Sequence, residues 1–264
     1  MKLKFRHLLC FLVAFALSLA LKLAVPSRAI AEPVTILVGS ASSLQDALKE
    51  LTPLFQSAHP NITVRYSFTA PGALQQQIER GAPIDVFISG ASKQMDALQA
   101  KGLILTDTRR NLVSNRLALV VPRSSPLVLT DFRQLTKQEI KRIAMGEPRS
   151  VPVGQYAEEV LRSLGIWEQL RPKLVLGNTA RNVLATVESG NADAGIVFMT
   201  NAQISDRVKQ VAVAPKNSHA PIVYPIAVVS TSREQKSAQA YVQFLTGPLA
   251  RPVFSKYGFG TVRS

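Results

Sequence analysis

The stretch VTILVGSASSLQDALKELTPLF, from Val34 to Phe55, decides the fold that the sequence predicts. It begins with a β-branched run, Val34–Val38, which is typical of a buried strand. A small, polar turn follows at Gly39–Ser43. Apolar residues then recur at helical spacing from Leu44 to Phe55, which indicates one buried helix face. Strand, polar turn and amphipathic helix, in this order, form one βα unit.

The same pattern recurs along the chain. Further strands are predicted at Ile62–Phe68, Val86–Ile88, Leu117–Val121, Ile143–Met145, Leu174–Leu176, Ala194–Phe198, Val208–Ala214 and Ile226–Val229. Further helices are predicted at Ala73–Arg80, Ser92–Ala100, Gln155–Leu164, Ala180–Ser189, Glu234–Leu245 and Pro248–Lys256. Leu117–Val121 is apolar throughout, as the central strand of a parallel sheet is. The repeat predicts an α/β fold with mostly parallel sheets and helices on both faces.

Two series of βα units predict two lobes. Lobe 1 is expected to contain residues 32–115 and 225–264, and lobe 2 residues 116–224. The chain would then cross between the lobes near Ser114–Leu117 and near Ile222–Pro225. Two crossings form a hinge that can close on a ligand.

Residues 1–31 have the pattern of a secretory signal peptide. A basic start precedes the apolar run Leu8–Leu21, and Ala29-Ile30-Ala31 matches an A-x-A cleavage site. A membrane anchor is the alternative, but the run of about 14 residues is shorter than the roughly 20 that span a bilayer. We therefore expect an exported, periplasmic protein that loses Cys10, its single cysteine, on cleavage.

The net charge says little about which partners the protein binds. The formal charge of +14 includes five basic residues before position 32, which leaves 31 − 5 = 26 basic against 17 acidic residues, or +9. The basic residues are scattered along the chain, so a nucleic-acid partner is not expected. Attraction of small anions is what the charge favours.

Enzyme motifs do not stand out. His59 and His219 lack metal-ligand spacing, and the chain contains no GxSxG elbow, phosphate-binding loop or dinucleotide fingerprint. Asp85 precedes a strand, where a structural role in a turn is expected. No cofactor is expected. An exported hydrolase or transferase that uses Ser43 as a nucleophile stays open as an alternative, although the sequence offers it no matched base.

Four polar or glycine-containing turns lie at strand–helix junctions, at Gly39–Ser43, Thr69–Gly72, Val151–Gly154 and Asn178–Ala180. Helix N-termini carry free N–H groups and partial positive charge, so four such turns around one cleft would hold an anion. Ordinary N-capping is the alternative. Ser43-Leu44-Gln45-Asp46 also fits a capping box, with aspartate in place of glutamate.

These turns, with their flanks, resemble the molybdate-binding proteins of bacterial ABC transporters. The segments that carry the resemblance are Ala41–Leu48, Leu74–Ser89, Val151–Ala157, Gly195–Phe198, Tyr224–Val229 and Lys256–Phe259. The resemblance implies the two-lobed type II periplasmic binding fold, which holds a tetrahedral oxyanion between its lobes. It also implies delivery of molybdate or tungstate to a permease with a paired ATPase, by a monomer without catalytic activity.

The resemblance further implies which residues hold the anion. Ser43 would contribute its hydroxyl and its amide, and Val153 and Ala180 their backbone N–H groups, with no direct ligand to the metal. The full set of implied ligand residues is Ser42, Ser43, Thr69, Pro71, Gly72, Val153, Ala180 and Phe198.

Two of these positions depart from the family pattern. Pro71 stands where a serine is usual, which removes a hydroxyl and an N–H, and Phe198 stands where a tyrosine is usual, which removes a hydroxyl. Neighbouring donors that can compensate are Ser42, Thr69, the Gly72 amide and Thr200. Another anion, such as sulfate, phosphate or an organic anion, stays open as the ligand, as does a signalling role at a membrane sensor.

Overall fold

The structure is a computed structural model that describes residues 32–262. The predicted signal peptide lies outside these residues. The strands are β1 (Val34–Ala41), β2 (Ile62–Thr69), β3 (Val86–Ile88), β4 (Arg110–Ser114), β5 (Leu117–Pro122), β6 (Ile143–Gly146), β7 (Leu174–Gly177), β8 (Ala194–Phe198), β9 (Val208–Val213) and β10 (Val223–Val228). The α-helices are α1 (Gln45–Ala58), α2 (Pro71–Glu79), α3 (Ser92–Ala100), α4 (Pro152–Ser163), α5 (Trp167–Leu170), α6 (Ala180–Glu188), α7 (Met199–Gln203), α8 (Gln235–Thr246) and α9 (Arg251–Lys256).

The strands form two five-stranded sheets. The first has the order β2-β1-β3-β10-β4, and the second has the order β7-β6-β8-β5-β9. The chain passes from the first sheet to the second between Ser114 and Leu117, and it returns between Val213 and Val223. The predicted α/β class with two crossing segments is therefore confirmed. The lobe boundaries themselves stay a prediction.

The sheets are mixed but mostly parallel, since four strands of each sheet run in one direction and the fifth runs against them. In the first sheet β1 pairs in parallel with β2 and β3, while β10 runs antiparallel to β3 and β4. The second sheet repeats this arrangement, with β5 antiparallel to β8 and β9. The continuous apolar run in β5 was therefore wrongly assigned to a parallel strand. It reflects burial on both faces, since Leu117 to Val121 are all fully buried.

Helix α1 buries most of the apolar stripe that the sequence predicts for it. Leu48, Leu51 and Phe55 of α1 are fully buried, and the Phe55 ring meets Tyr241 of α8 edge-on at 5.0 Å between centroids. Leu54, which the sequence stripe includes, is 48% exposed instead. Among residues 32–262, every helix is too short or too polar to cross a membrane.

Two helices begin earlier than the pattern predicts. Helices α2 and α4 start at Pro71 and Pro152, because proline has the φ that the first helical position requires and lacks only an N–H that would be unpaired there. Gly154 in α4 has a packing role as well. A Cβ there would lie 2.1 Å from the Gly146 carbonyl oxygen, so only glycine lets the helix approach β6 this closely.

Candidate functional site

The four strand–helix turns emerge at matching edges of the two sheets. Ala41, at the end of β1, pairs with Thr69, at the end of β2, so the turns that follow them are neighbours. In the second sheet Gly146 pairs with Gly177, which brings together the turns that lead into α4 and α6. Parallel pairing therefore places the helix N-termini side by side, two on each sheet.

The two pairs of turns contact each other across the space between the sheets. The Gly72 amide donates to the Ser150 carbonyl at 3.0 Å. An Asp46 carboxylate of α1 pairs with the Arg181 guanidinium of α6. The four turns thus surround one buried region between the sheets.

Backbone amides on both sides of this region have no protein partner. Within residues 32–262, the N–H groups of Ser43, Val153 and Ala180 donate to no acceptor. All three residues are buried, with at most 6% of their surface exposed. Buried amides are nearly always paired, so three free donors on both sides of a cleft indicate a place for an acceptor-rich ligand.

A hydrogen-bond network lies beside these amides. The Ser43 hydroxyl is 3.0 Å from the Tyr224 phenol oxygen, and the Asn115 Nδ2 donates to that oxygen at 3.2 Å. The same Nδ2 donates to the Thr200 hydroxyl at 3.0 Å. Tyr224 is fully buried, which raises the pKa of its phenol above the ordinary value. The network joins the first sheet, the first crossing segment and α7.

The predicted capping box is wrong. Ser43 lies in a short 3₁₀ turn, Ser42–Leu44, and α1 begins only at Gln45 without a side-chain cap. The Ser43 hydroxyl is engaged by Tyr224 instead. At the fourth turn ordinary capping does occur, since the Thr179 hydroxyl accepts from the Asn182 amide at 3.1 Å.

Comparisons with known proteins identify a family for the chain. The family model of the bacterial extracellular solute-binding proteins matches residues 36–260. The chain belongs to this family. Among its relatives, the molybdate-binding protein ModA of Escherichia coli is 39% identical over 246 residues, covering 91% of this chain and 94% of that protein. ModA of Haemophilus influenzae is 34% identical over 246 residues, covering 92% and 96%.

Solved structures of solute-binding proteins share the fold. The periplasmic molybdate-binding protein of Azotobacter vinelandii superposes with a TM-score of 0.79 at 24% identity, covering 86% of this chain and 100% of that chain. At this identity the likeness concerns the fold alone. It agrees with the two sheets and two crossings seen here.

The two positions that depart from the molybdate-binding pattern lie in this region of the solute-binding fold. Pro71 is the first residue of α2 and is buried, so this turn lacks one amide donor. The Phe198 ring is 2% exposed and lies 5.7 Å from the Tyr224 ring, centroid to centroid. Of the compensating donors, the Gly72 amide is taken by Ser150, whereas the buried Ser42 hydroxyl has no partner within residues 32–262.

The residues considered for catalysis have other roles in this member of the family. Asp85 accepts from the Leu37 amide at 2.7 Å and from the Ser232 hydroxyl at 2.6 Å, which ties β1 to the chain after β10. His219 contacts the carbonyl of Ala220. Within residues 32–262 no three His, Cys, Asp or Glu side chains are grouped to hold a metal ion.

Sequence reasoning missed Asn115, Arg181 and the role of Tyr224. Tyr224 stands in one of the segments that carry the resemblance, but its bond to Ser43 joins residues 181 positions apart. Asn115 was placed only near a crossing segment. A polar residue in a predicted hinge is the one signal that pointed to it.

Proposed function

We propose that this protein is the substrate-binding component of an ABC importer and that it binds molybdate or tungstate between two lobes. The support from relatives is that two solute-binding proteins with 34% and 39% identity are named molybdate-binding. The lobes would be residues 32–115 with 225–264, and residues 116–224. The bound form would deliver the anion to a membrane permease and its ATPase, from the periplasm and as a monomer.

The observation that carries the proposal is the set of three free, buried amides at Ser43, Val153 and Ala180. Together with the Ser43 hydroxyl they offer donors from turns of both sheets. An oxyanion offers only acceptors to such donors, and each hydrogen bond to a charged group contributes about 1.5–3 kcal/mol. Two of the amides belong to N-terminal turns of helices of eight or more residues, which adds favourable partial charge. We assign Ser42, Thr69, Pro71, Gly72 and Phe198 to the surrounding wall.

Closure follows from the same contacts. The hydrogen bond from Gly72 to Ser150 and the ion pair from Asp46 to Arg181 both join turns of different sheets. Both would break if the sheets moved apart about the crossing segments. We infer that the described conformation is the closed one and that an open form admits the anion.

A hydrolase is the weaker reading of this site. A serine nucleophile needs a base within hydrogen-bonding reach. Within residues 32–262 the Ser43 hydroxyl has Tyr224 as its one hydrogen-bond partner, and a phenol with a raised pKa is a poor base at neutral pH. We therefore assign the protein no catalytic activity.

The first experiment is a thermal-shift screen of the mature protein against molybdate, tungstate, sulfate, phosphate and chromate. A ligand at one hundred times its Kd adds about 2.7 kcal/mol of stability, which raises the Tm by roughly 5–10 °C for a chain of this size. A shift with molybdate or tungstate supports the proposal. A shift only with another anion replaces the ligand, and no shift with any of the five contradicts an oxyanion site.

The second experiment removes one amide without changing the helix. Thr179, which precedes Ala180, is already extended, with ψ at 160°, so Ala180→Pro suits the first position of α6 and deletes its N–H. We expect the Kd for molybdate to rise roughly tenfold or more. Ala180→Gly keeps the N–H and is the matched control. Equal affinities for the two variants would exclude the Ala180 amide from the site.

A further inference from the structure

Asn115 occupies a special place in the hinge. It lies in the crossing segment between β4 and β5, and its side-chain amide reaches both sheets. One N–H of Nδ2 donates to the Tyr224 phenol oxygen of β10 at 3.2 Å, and the other donates to the Thr200 hydroxyl of α7 at 3.0 Å. The first crossing is therefore hydrogen-bonded to the candidate site on both sides.

The orientation of this amide is set by the backbone. The Asn115 Oδ1 accepts from the Arg116 N–H at 2.9 Å, which requires the oxygen to face the chain and Nδ2 to face the two hydroxyls. A carboxamide nitrogen only donates. Both hydroxyls must therefore accept from Asn115.

The direction of the bond from Asn115 to Tyr224 fixes the direction of the next bond, between Tyr224 and Ser43. The phenol of Tyr224 has a single hydrogen, and its oxygen already accepts from Asn115. The Ser43 oxygen, at 3.0 Å, is the remaining partner for that hydrogen. Because burial raises the pKa of Tyr224, the phenol keeps its hydrogen at neutral pH. Ser43 thus accepts from Tyr224, and its own hydrogen is left to donate.

We propose that Asn115 is a positioning residue that acts through Tyr224 to make the Ser43 hydroxyl a donor, and so selects oxyanions without a proton over those that carry one. The inference rests on the proposed function, in which Ser43 contacts the anion. Molybdate and sulfate are dianions with no proton in mildly alkaline buffer. Hydrogen phosphate is a dianion that keeps one, and this proton needs an acceptor where the Ser43 hydroxyl presents its own hydrogen to the ligand.

The test is Asn115→Asp, which keeps the shape of the side chain and replaces the donor by an acceptor. Tyr224 would then donate to residue 115, and the Ser43 hydrogen would turn toward Tyr224, leaving a lone pair for the ligand. By titration in mildly alkaline buffer, the ratio of the Kd for hydrogen phosphate to the Kd for molybdate should fall about ten- to hundredfold relative to wild type.

The ratio of the two Kd values distinguishes a change in the orientation of the Ser43 hydroxyl from the effect of an added charge. Both probes are dianions, so an added carboxylate repels them about equally and its effect cancels in the ratio. Asn111→Asp places the same charge at an exposed position of β4 and should leave the ratio unchanged. Equal weakening of both anions by Asn115→Asp, with the ratio as in wild type, would overturn the inference.

A second variant covers the case in which Asn115→Asp does not fold. Tyr224→Phe removes the donor to Ser43, so the Kd ratio should again fall; an unchanged ratio overturns the inference. A wild type that binds sulfate but neither molybdate nor tungstate refutes the proposed ligand, and the ratio is then measured with sulfate. A wild type that binds none of these oxyanions overturns both proposals.

Discussion

Replacing Ser43 by alanine should weaken anion binding and stability by separate, measurable amounts. The hydroxyl is 3.0 Å from the phenol of Tyr224, and its hydrogen is the donor that we assign to the ligand. Loss of one hydrogen bond to a charged partner costs about 1.5–3 kcal/mol. The Kd for molybdate should therefore rise roughly 10- to 150-fold.

The effect on stability comes from Tyr224. Its phenol is fully buried and would lose the acceptor for its hydrogen, while the contact from Asn115 remains. A buried donor left without a partner costs about 1–3 kcal/mol. At roughly 2–4 °C for each kcal/mol in a chain of this size, the ligand-free Tm should fall by about 2–12 °C.

Calorimetric titration and thermal unfolding measure the two effects, and Ser232→Ala is the matched control. Ser232 also loses a hydrogen bond, to the Asp85 carboxylate at 2.6 Å, but it lies at the opposite edge of the first sheet. The control should lower the Tm and leave the Kd unchanged. An unchanged Kd in Ser43→Ala, or an equal rise in both variants, would refute the assignment of Ser43 to the site.

Three further predictions concern other residues. Pro71→Ser and Phe198→Tyr return donors to the candidate site, so each should tighten molybdate binding by about fivefold, on the order of 1 kcal/mol, and the double variant should gain more; titrations with no gain would show that these lost donors do not limit affinity. Gly154→Ala places a methyl group against the β6 backbone and should lower the free energy of unfolding by about 1–3 kcal/mol. The Tm should therefore fall, and an unchanged Tm would contradict this prediction. Glu50 accepts a hydrogen bond from Lys256, which lowers the pKa of its carboxyl, so the stability it contributes exists above the ordinary pKa of about 4.3 and is lost as the pH falls. The Tm difference between wild type and Glu50→Gln should accordingly close in acid, and a gap that persists there would contradict this reading.

Local pattern predicted most of the elements because burial imposes a period on the sequence. The bounds of β3, β8 and α3 agree with the prediction at every residue. Strand β4 was missed, since Arg110 and Asn111 are exposed and leave too short an apolar signal. The sequence pattern also could not predict the direction of β5 in its sheet. β5 enters its sheet straight from a crossing segment, without an intervening helix, and a buried run has the same composition in either direction.

The candidate site was predicted at the level of turns and not at the level of hydrogen bonds. Helix starts after parallel strands must meet at one sheet edge, so the four turns were within reach of sequence reasoning. The partners of their polar groups depend on how the two sheets meet. The ion pair of Asp46 with Arg181 and the network of Asn115 arise only from that meeting, and no local spacing encodes them.

The recognition by backbone amides that we propose would explain why the two unusual residues leave the assignment standing. The donors at Val153 and Ala180 belong to the main chain, so side-chain type there matters little to an anion. Pro71 removes one amide and one hydroxyl, and Phe198 removes one hydroxyl, while the Ser43 hydroxyl and the amides of Ser43, Val153 and Ala180 remain as the proposed donors. Subtracting such donors from a donor-only site lowers affinity without creating an acceptor. The departures should therefore change how tightly an oxyanion is held before they change which class of ligand is held.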